Sequence, residues 1–265
     1  MKNIRYKIAD NFLADKTLTD FIARLDEVFE ADGETIFNGS RNVIKRFRLP
    51  CAEPSCQDVV VKKFGKKDIF HQFVYSFFRK SKAERAFFNG LKLMSVGCET
   101  PCPIAFVERR NCHLLDSCYY VTSYTSAISI GQFFVGDFDR PLARKFAQFM
   151  AKLHEGGIVH HDLNGSNVLV DRTDSSDVIS VIDINRMTSK PPQKLTLADC
   201  KDDLVRWGSS DDSVYPFVMR EYALARGFEV DDFMAIITRM KAQHDSSWQR
   251  RKRISRFFKR LVGKK

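Results

Sequence analysis

The sequence predicts an α+β fold in two parts, an antiparallel sheet with one main helix followed by a mainly helical half. Three observations carry this expectation. Short runs of strand type crowd the chain up to about Tyr124 and thin out after it. One long helical pattern, Phe70 to Met94, interrupts them. Beyond them an amphipathic stripe over Arg144 to Glu155 opens the second half. No internal repeat or low-complexity linker divides the 265 residues, so the expected parts are residues 1–125, 126–247 and a basic tail at 248–265.

The first stretch, MKNIRYKIADNFLADKTLTDF, scatters its charges and lacks the apolar run of a secretory leader. No later stretch reaches the roughly 20 apolar residues of a membrane span, so a cytoplasmic location is expected. Leu18, Phe21, Ile22, Leu25 and Phe29 fall on one helical stripe, which predicts a helix covering the strands. Glu34 to Phe37 and Asn42 to Phe47 read as strands about Asn38-Gly39-Ser40, and Asp58 to Phe64 (DVVVKKF) as a stronger one. The helix from Phe70 ends before Gly97 and Pro101, and strands follow at Ile104 to Glu108 and Tyr119 to Tyr124. Phe146, Phe149, Met150 and Leu153 form the stripe of the next helix, and Gly156-Gly157 stops it.

Composition excludes several classes of function. With 44% hydrophobic and 29% charged residues the chain reads as an ordinary globular protein, and seven cysteines, an odd set, point to reduced thiols. Cys51 with Cys56 and Cys98 with Cys102 lack the Cys-x2-Cys spacing of zinc ribbons and are read as buried or loop thiols. The formal charge of +10 is concentrated at the end, where Gln249 to Lys265 carries nine basic residues and no acid. There Ile254, Phe257, Phe258, Leu261 and Val262 share one helical face and the cations the other, the pattern of a helix lying in an anionic membrane interface. No recognised nucleic-acid-binding motif accompanies the charge, and nucleic acid is not expected as a partner.

The chemistry concentrates after Gly157. In Ile158-Val-His-His-Asp-Leu-Asn-Gly-Ser-Asn-Val-Leu-Val170 a polar loop joins two apolar strands, and Asp162 and Asn167 stand at the spacing of a kinase catalytic loop. In such a loop the Asp orients or deprotonates the attacking hydroxyl and the Asn holds magnesium. Asp183, at the end of the apolar run Val181-Ile182, offers a second oxygen ligand of the kind magnesium takes. Upstream, Val59-Val60-Val61-Lys62 ends an apolar strand in a cation suited to nucleotide phosphates, with Lys63, on the other face, as the register alternative. Glu84 in the following helix is expected to form the ion pair that holds this lysine. Gly39 permits a close backbone approach to phosphates and equally suits a bare hairpin turn. These residues occur in the order required by a bilobal protein-kinase-like fold binding ATP and Mg2+.

On these residues the chain resembles the lipopolysaccharide kinase (Kdo/WaaP) family, a bacterial branch of the protein-kinase-like superfamily. The resemblance runs from about Asp58 to Leu204 and rests on VVVKKF, RKSKAERAFFNGLKLMSVGCETPCPIAFVE, HHDLNGSNVLV, and VIDINR followed by CKDDLVRW. Asn164 stands where Ser/Thr kinases carry a lysine, and nothing like Ala-Pro-Glu closes a long segment after Asp183, so a peptide-docking platform is poorly supported. The resemblance implies phosphorylation of a Kdo or heptose hydroxyl on a lipopolysaccharide precursor, Kdo-lipid A or heptosylated core. It also implies a place on the inner face of the inner membrane. A protein or small-molecule kinase and a non-catalytic kinase fold are the competing readings.

Overall fold

The computed structural model describes residues 2–65, 80–111, 114–173, 176–191, 195–208 and 213–261. The expected helix from Phe70 therefore lies partly outside the described residues, as does Cys112. The chain forms two compact units, one of Met1–Ala127 with Ser180–Met187, the other of Ile128–Ile179 with Thr188–Lys265.

The first unit begins with a strand the sequence reading missed, β1 (Lys2–Ile8). Two short helices follow, α1 (Lys16–Ala23) and α2 (Leu25–Ala31), where one was expected. Asp15 caps α1 by accepting from the Leu18 N–H at 3.0 Å, and the backbone leaves helical geometry at Arg24. The apolar stripe survives the break, since Leu18, Phe21, Ile22, Leu25 and Phe29 are all buried. Strands β2 (Glu34–Asn38), β3 (Asn42–Arg48) and β4 (Asp58–Phe64) come next. Helix α3 (Lys82–Ser95), capped by the Ser81 hydroxyl, and strands β5 (Pro103–Asn111) and β6 (Leu114–Ser123) complete the set. The six strands form one antiparallel sheet in the order β1-β5-β6-β4-β3-β2.

Strand alternation decides what each face does. On β4, Val59 and Val61 are fully buried on the side that also carries Lys63. Phe29 reaches this side of the sheet, 5.3 Å from the ring of Tyr119, and Phe21 packs 5.2 Å from Phe47. Lys62 projects from the opposite side, beside Tyr120 of β6 and Ile44 of β3 in register. There α3 comes so close to the sheet that a Cβ on Gly90 would lie 3.0 Å from the Tyr120 hydroxyl.

The second unit contains β7 (Ile128–Ser129), α4 (Arg140–Glu155), β8 (Ile158–Val159) and β9 (Val168–Arg172). Strand β10 (Asp177–Val181) starts in this unit and ends in the first. The chain returns at β11 (Thr188–Ser189) and continues through α5 (Leu197–Arg206), α6 (Val214–Ala225) and α7 (Val230–Leu261). Helix α4 starts one turn earlier than the stripe suggests, because Asp139 caps it and Pro141 fits its first turn. Trp207 anchors the core here, 4.5 Å from the ring of Phe146 and 5.6 Å from that of Phe134.

The basic C-terminal segment is the continuation of α7, a helix of 32 residues spanning about 48 Å. Of its expected apolar face, Ile254 is 45% exposed, and the side chains of Phe257, Phe258, Leu261 and Val262 lie outside the described residues. Among the described residues no helix is long and apolar enough to cross a membrane.

Candidate active site

Within the first unit the structure brings Lys62 and Asp183 together. The segment Ser180–Met187 belongs to this unit and is held there by hydrogen bonds to Glu99, Thr100 and Asn89. Val181 N–H donates to the Glu99 carbonyl at 3.1 Å, the Thr100 hydroxyl donates to the Val181 carbonyl at 2.8 Å, and the Asn89 amide donates to the Ile184 carbonyl at 2.7 Å. Asp183 follows in the left-handed region, φ 59°, which Asp tolerates better than most residues. Its Oδ1 accepts from Lys62 Nζ at 2.6 Å and from the Asn185 amide at 2.7 Å. The lysine is 17% exposed and the carboxylate 32%, so this pair is shielded more than a surface ion pair.

Lys63, the register alternative, points to the other face and pairs with Glu30 of α2. Gly39 lies in the β2–β3 hairpin, where its N–H donates to the Asn42 carbonyl at 3.0 Å. A Cβ there would fall 2.6 Å from the Phe37 ring, which is exposed and would have to turn aside. The groove beside Gly39, about 340 Å³, is lined by Arg41, Lys45 and Lys63 and lies on the Lys63 side.

The expected Lys62–Glu84 ion pair is not formed. Glu84 sits in the first turn of α3, buried, and both its oxygens accept from the Arg5 guanidinium at 3.0 Å. Arg5 also donates to Glu108, which is fully buried and takes a further bond from Arg110 at 3.0 Å. The physical reason is β1, which pairs with β5 with Arg5 opposite Glu108 and so delivers a planar, bidentate donor to α3. Asp183 is the partner of Lys62 instead.

Asp162 and Asn167 belong to the second unit. The loop that carries them is organised by Asp203 of α5, a fully buried residue the sequence reading did not single out. Its two oxygens accept the His160 N–H at 2.7 Å and the His161 N–H at 2.6 Å, and His154 Nε2 lies 3.3 Å away. His154 is held in turn by the Tyr222 hydroxyl at 2.8 Å. Burial alone would push the Asp203 carboxyl up, but its bond to His154, the nearby imidazoles and the backbone N–H of His160 hold it below its ordinary value.

His161 is thereby kept at φ 65°, a left-handed conformation with a strain cost of order 1–3 kcal/mol for a residue with a side chain. Its ring bridges Asp202 at 3.2 Å and Thr188 at 2.7 Å. The buried His160 ring accepts the Asp162 N–H at 3.3 Å. Next in sequence, the partly exposed Asp162 has the Asn164 amide 3.4 Å from its Oδ1 and Arg206 at 3.9 Å. The Asn167 amide donates to the Asp162 backbone carbonyl at 2.9 Å, leaving the Asn167 side-chain oxygen as the acceptor end of that amide.

Asp183 in the first unit offers carboxylate oxygen and Asn167 in the second an amide oxygen, each a donor of the kind a hard cation such as Mg2+ takes and a thiophilic one does not. Cys51 and Cys56 are buried against Asp15, with Cys56 Sγ 3.8 Å from its Oδ2, and desolvation pushes the Cys51 thiol up to about 12.

The fold is protein-kinase-like, an antiparallel N-terminal sheet with one main helix and a mainly helical second unit. In fold the chain is similar to the structure described as WaaP in complex with acyl carrier protein, with a TM-score of 0.59 and 15% identity, covering 90% of this chain and 98% of that one. A weaker likeness, TM-score 0.44 and 17% identity over 86% of this chain and 75% of the other, is to a Rio2 kinase–ADP/Mg2+–phosphoaspartate complex from Chaetomium thermophilum. No curated protein sequence matches the chain. Residues 56–204, more than half of the sequence, match the lipopolysaccharide kinase (Kdo/WaaP) family, and the chain belongs to that family. Membership makes it a phosphotransferase and implies ATP as the phosphoryl donor.

Proposed function

We propose that the protein transfers the γ-phosphoryl group of ATP to a sugar hydroxyl, of Kdo or of heptose, in the lipopolysaccharide inner core. The observation that carries the reading is the loop at Asp162, organised from below by Asp203 and His154 within a segment that matches a family of lipopolysaccharide kinases. In this reading Asp162 accepts a hydrogen bond from the acceptor hydroxyl, orients it and takes its proton as the bond to phosphorus forms. Lys62 neutralises charge on the nucleotide phosphates, and Asp183 keeps its ammonium in position until they arrive. Asn167 and Asp183 would hold Mg2+, which when bound supplies charge neutralisation to the phosphates. Gly39 and Glu84 act through the fold, one by closing the hairpin and the other by fixing α3 to β1.

The substrate lies on a membrane, and we propose that the protein works at the inner face of the inner membrane. Support comes from the exposed cations Arg250, Arg251, Lys252, Arg253 and Arg256 in the last turns of α7, each worth on the order of 1 kcal/mol near an anionic surface. The test is transfer from labelled ATP with magnesium to Kdo-lipid A, heptosylated core and a generic peptide, supplied separately. Transfer to one of the two glycolipids is the expected result. Transfer only to peptide would overturn the reading.

A further inference from the structure

The second unit holds a groove of about 560 Å³ that the catalytic reading leaves unused. Its wall is one face of α7, on which His244, Trp248, Arg251, Lys252 and Arg256 recur at helical spacing, and Arg206 at the end of α5 completes it. The volume falls in the range of small-ligand sites, roughly 300–1,000 Å³, and suits one or two sugar rings.

The lining has two components. Four formal cations converge, three of them arginines, whose planar forks match carboxylate and phosphate oxygens. Trp248, half exposed, offers a flat apolar surface with Lys252 Nζ 4.4 Å above its ring. The neighbouring acid, Asp245, is engaged by Lys241 and His244, both at 3.0 Å. The groove is also tied to the reaction residue, because Arg206 lies 3.9 Å from Asp162 Oδ1 and 3.8 Å from Asp202. A ligand anion held by Arg206 is therefore within one side chain of the carboxylate assigned to the acceptor hydroxyl.

We infer that this groove is the acceptor site and that it takes an acidic saccharide, one bearing carboxylate or phosphate groups, with a ring face against Trp248. The inference rests on the assignment of Asp162 to the acceptor hydroxyl. It gives the C-terminal helix a part in substrate recognition, where the sequence alone suggested only a membrane anchor.

The test uses the full chain and Kdo-lipid A in neutral detergent micelles, with binding measured in the absence of nucleotide. The double variant Arg251→Ala/Arg256→Ala should weaken binding by about thirtyfold, and Trp248→Ala by about tenfold. All three positions are solvent-facing, so melting temperatures should stay near that of the parent, which excludes misfolding as the cause. Binding of the variants within about twofold of the parent, or no binding by the parent, would overturn the inference. Two parallel arms separate other sources of the same charge effect. If the variants lose binding only to phosphatidylglycerol vesicles, the groove is a membrane contact. If they lose it only to acyl carrier protein, the groove is a protein-docking site, and either result overturns the assignment. Absence of phosphoryl transfer to any lipopolysaccharide acceptor, with variant-sensitive saccharide binding retained, would instead remove the kinase reading and leave a saccharide site.

Discussion

Asp203→Asn keeps the side-chain volume and removes one acceptor from beneath the catalytic loop. In the parent the carboxylate takes two backbone N–H groups on separate oxygens, the buried one of His160 at 2.7 Å and the partly buried one of His161 at 2.6 Å. An amide presents one oxygen and one NH2, so one of those donors must face another donor. Loss of a hydrogen bond to a charged group costs about 1.5–3 kcal/mol, and the stranded N–H adds about 1–3 kcal/mol. A total near 4 kcal/mol corresponds to a fall in melting temperature of about 10 °C for a chain of this size. Catalysis should fall further than stability suggests, because one of the two bonds that hold the His160–His161 backbone is lost and Asp162 follows it directly. A drop in kcat of about a hundredfold is expected, with a smaller rise in the Kd for magnesium-ATP, since Asn167 lies in the disturbed loop while Lys62 and Asp183 belong to the other unit. The acid side gives an independent check. The folded-state pKa of Asp203 is lowered, so its contribution is full above the ordinary value of 3.8 and is lost as pH falls through the lowered value. Thermal melts should show parent and variant far apart near neutrality and converging in acid. A neutral-pH melting difference under about 2 °C with transfer retained, or a gap that widens in acid, would refute the reasoning.

Asp162→Ala should abolish transfer and move the melting temperature by no more than a few degrees, because its partly exposed carboxylate is bonded mainly within its own loop; unfolding with specific activity retained would make it structural. Lys62→Met should raise the Kd for magnesium-ATP about tenfold or more while Lys63→Met leaves it nearly unchanged, and calorimetry giving the reverse order would assign the nucleotide to the other face of β4. Arg5→Ala leaves Glu84 and Glu108 buried without their bidentate donor, Glu84 keeping Lys80 at 3.8 Å and Glu108 keeping Arg110, so denaturant unfolding should show a loss of about 2–4 kcal/mol. Arg5→Lys should restore only part of it, since an ammonium cannot make the paired contacts of the fork; full restoration would argue against a bidentate grip.

The parts of this fold that were legible in the sequence are those set by local periodicity. Alternation along Val59, Val60, Val61 and Lys62 fixed β4 and the face of its lysine, and the 3.6-residue stripe from Phe146 to Leu153 fixed α4. Asp162 and Asn167 could be placed in one short loop because they are five residues apart between two apolar runs. What failed depended on contacts distant in sequence. Strand β1 does alternate, with Ile4, Tyr6 and Ile8 against Arg5 and Lys7, but at a chain end such a run says little without knowledge of the edge it will join. Glu84 was assigned to the wrong cation for the same cause, since Arg5 lies 79 residues away in sequence. Asp203 left a readable signal. Cys200, Asp203, Leu204 and Trp207 recur at i, i+3, i+4 and i+7, which places an acid inside the buried stripe of α5, and a buried acid demands donors.

The excursion of Ser180–Met187 limits how the protein can be taken apart. The chain leaves the second unit within β10, spends eight residues in the first and returns at β11, so three crossings separate the units where a simple tandem would have one. A fragment ended after Ala127 keeps all of β4 but loses Asp183, and its Lys62 ammonium, shielded in the intact chain, is stranded. The complementary fragment carries the Ile184 and Val181 carbonyls without the Asn89 and Thr100 donors that anchor them. Neither unit is therefore a severable module, and insertions or truncations aimed at dissecting nucleotide handling from acceptor handling must spare both ends of that eight-residue detour.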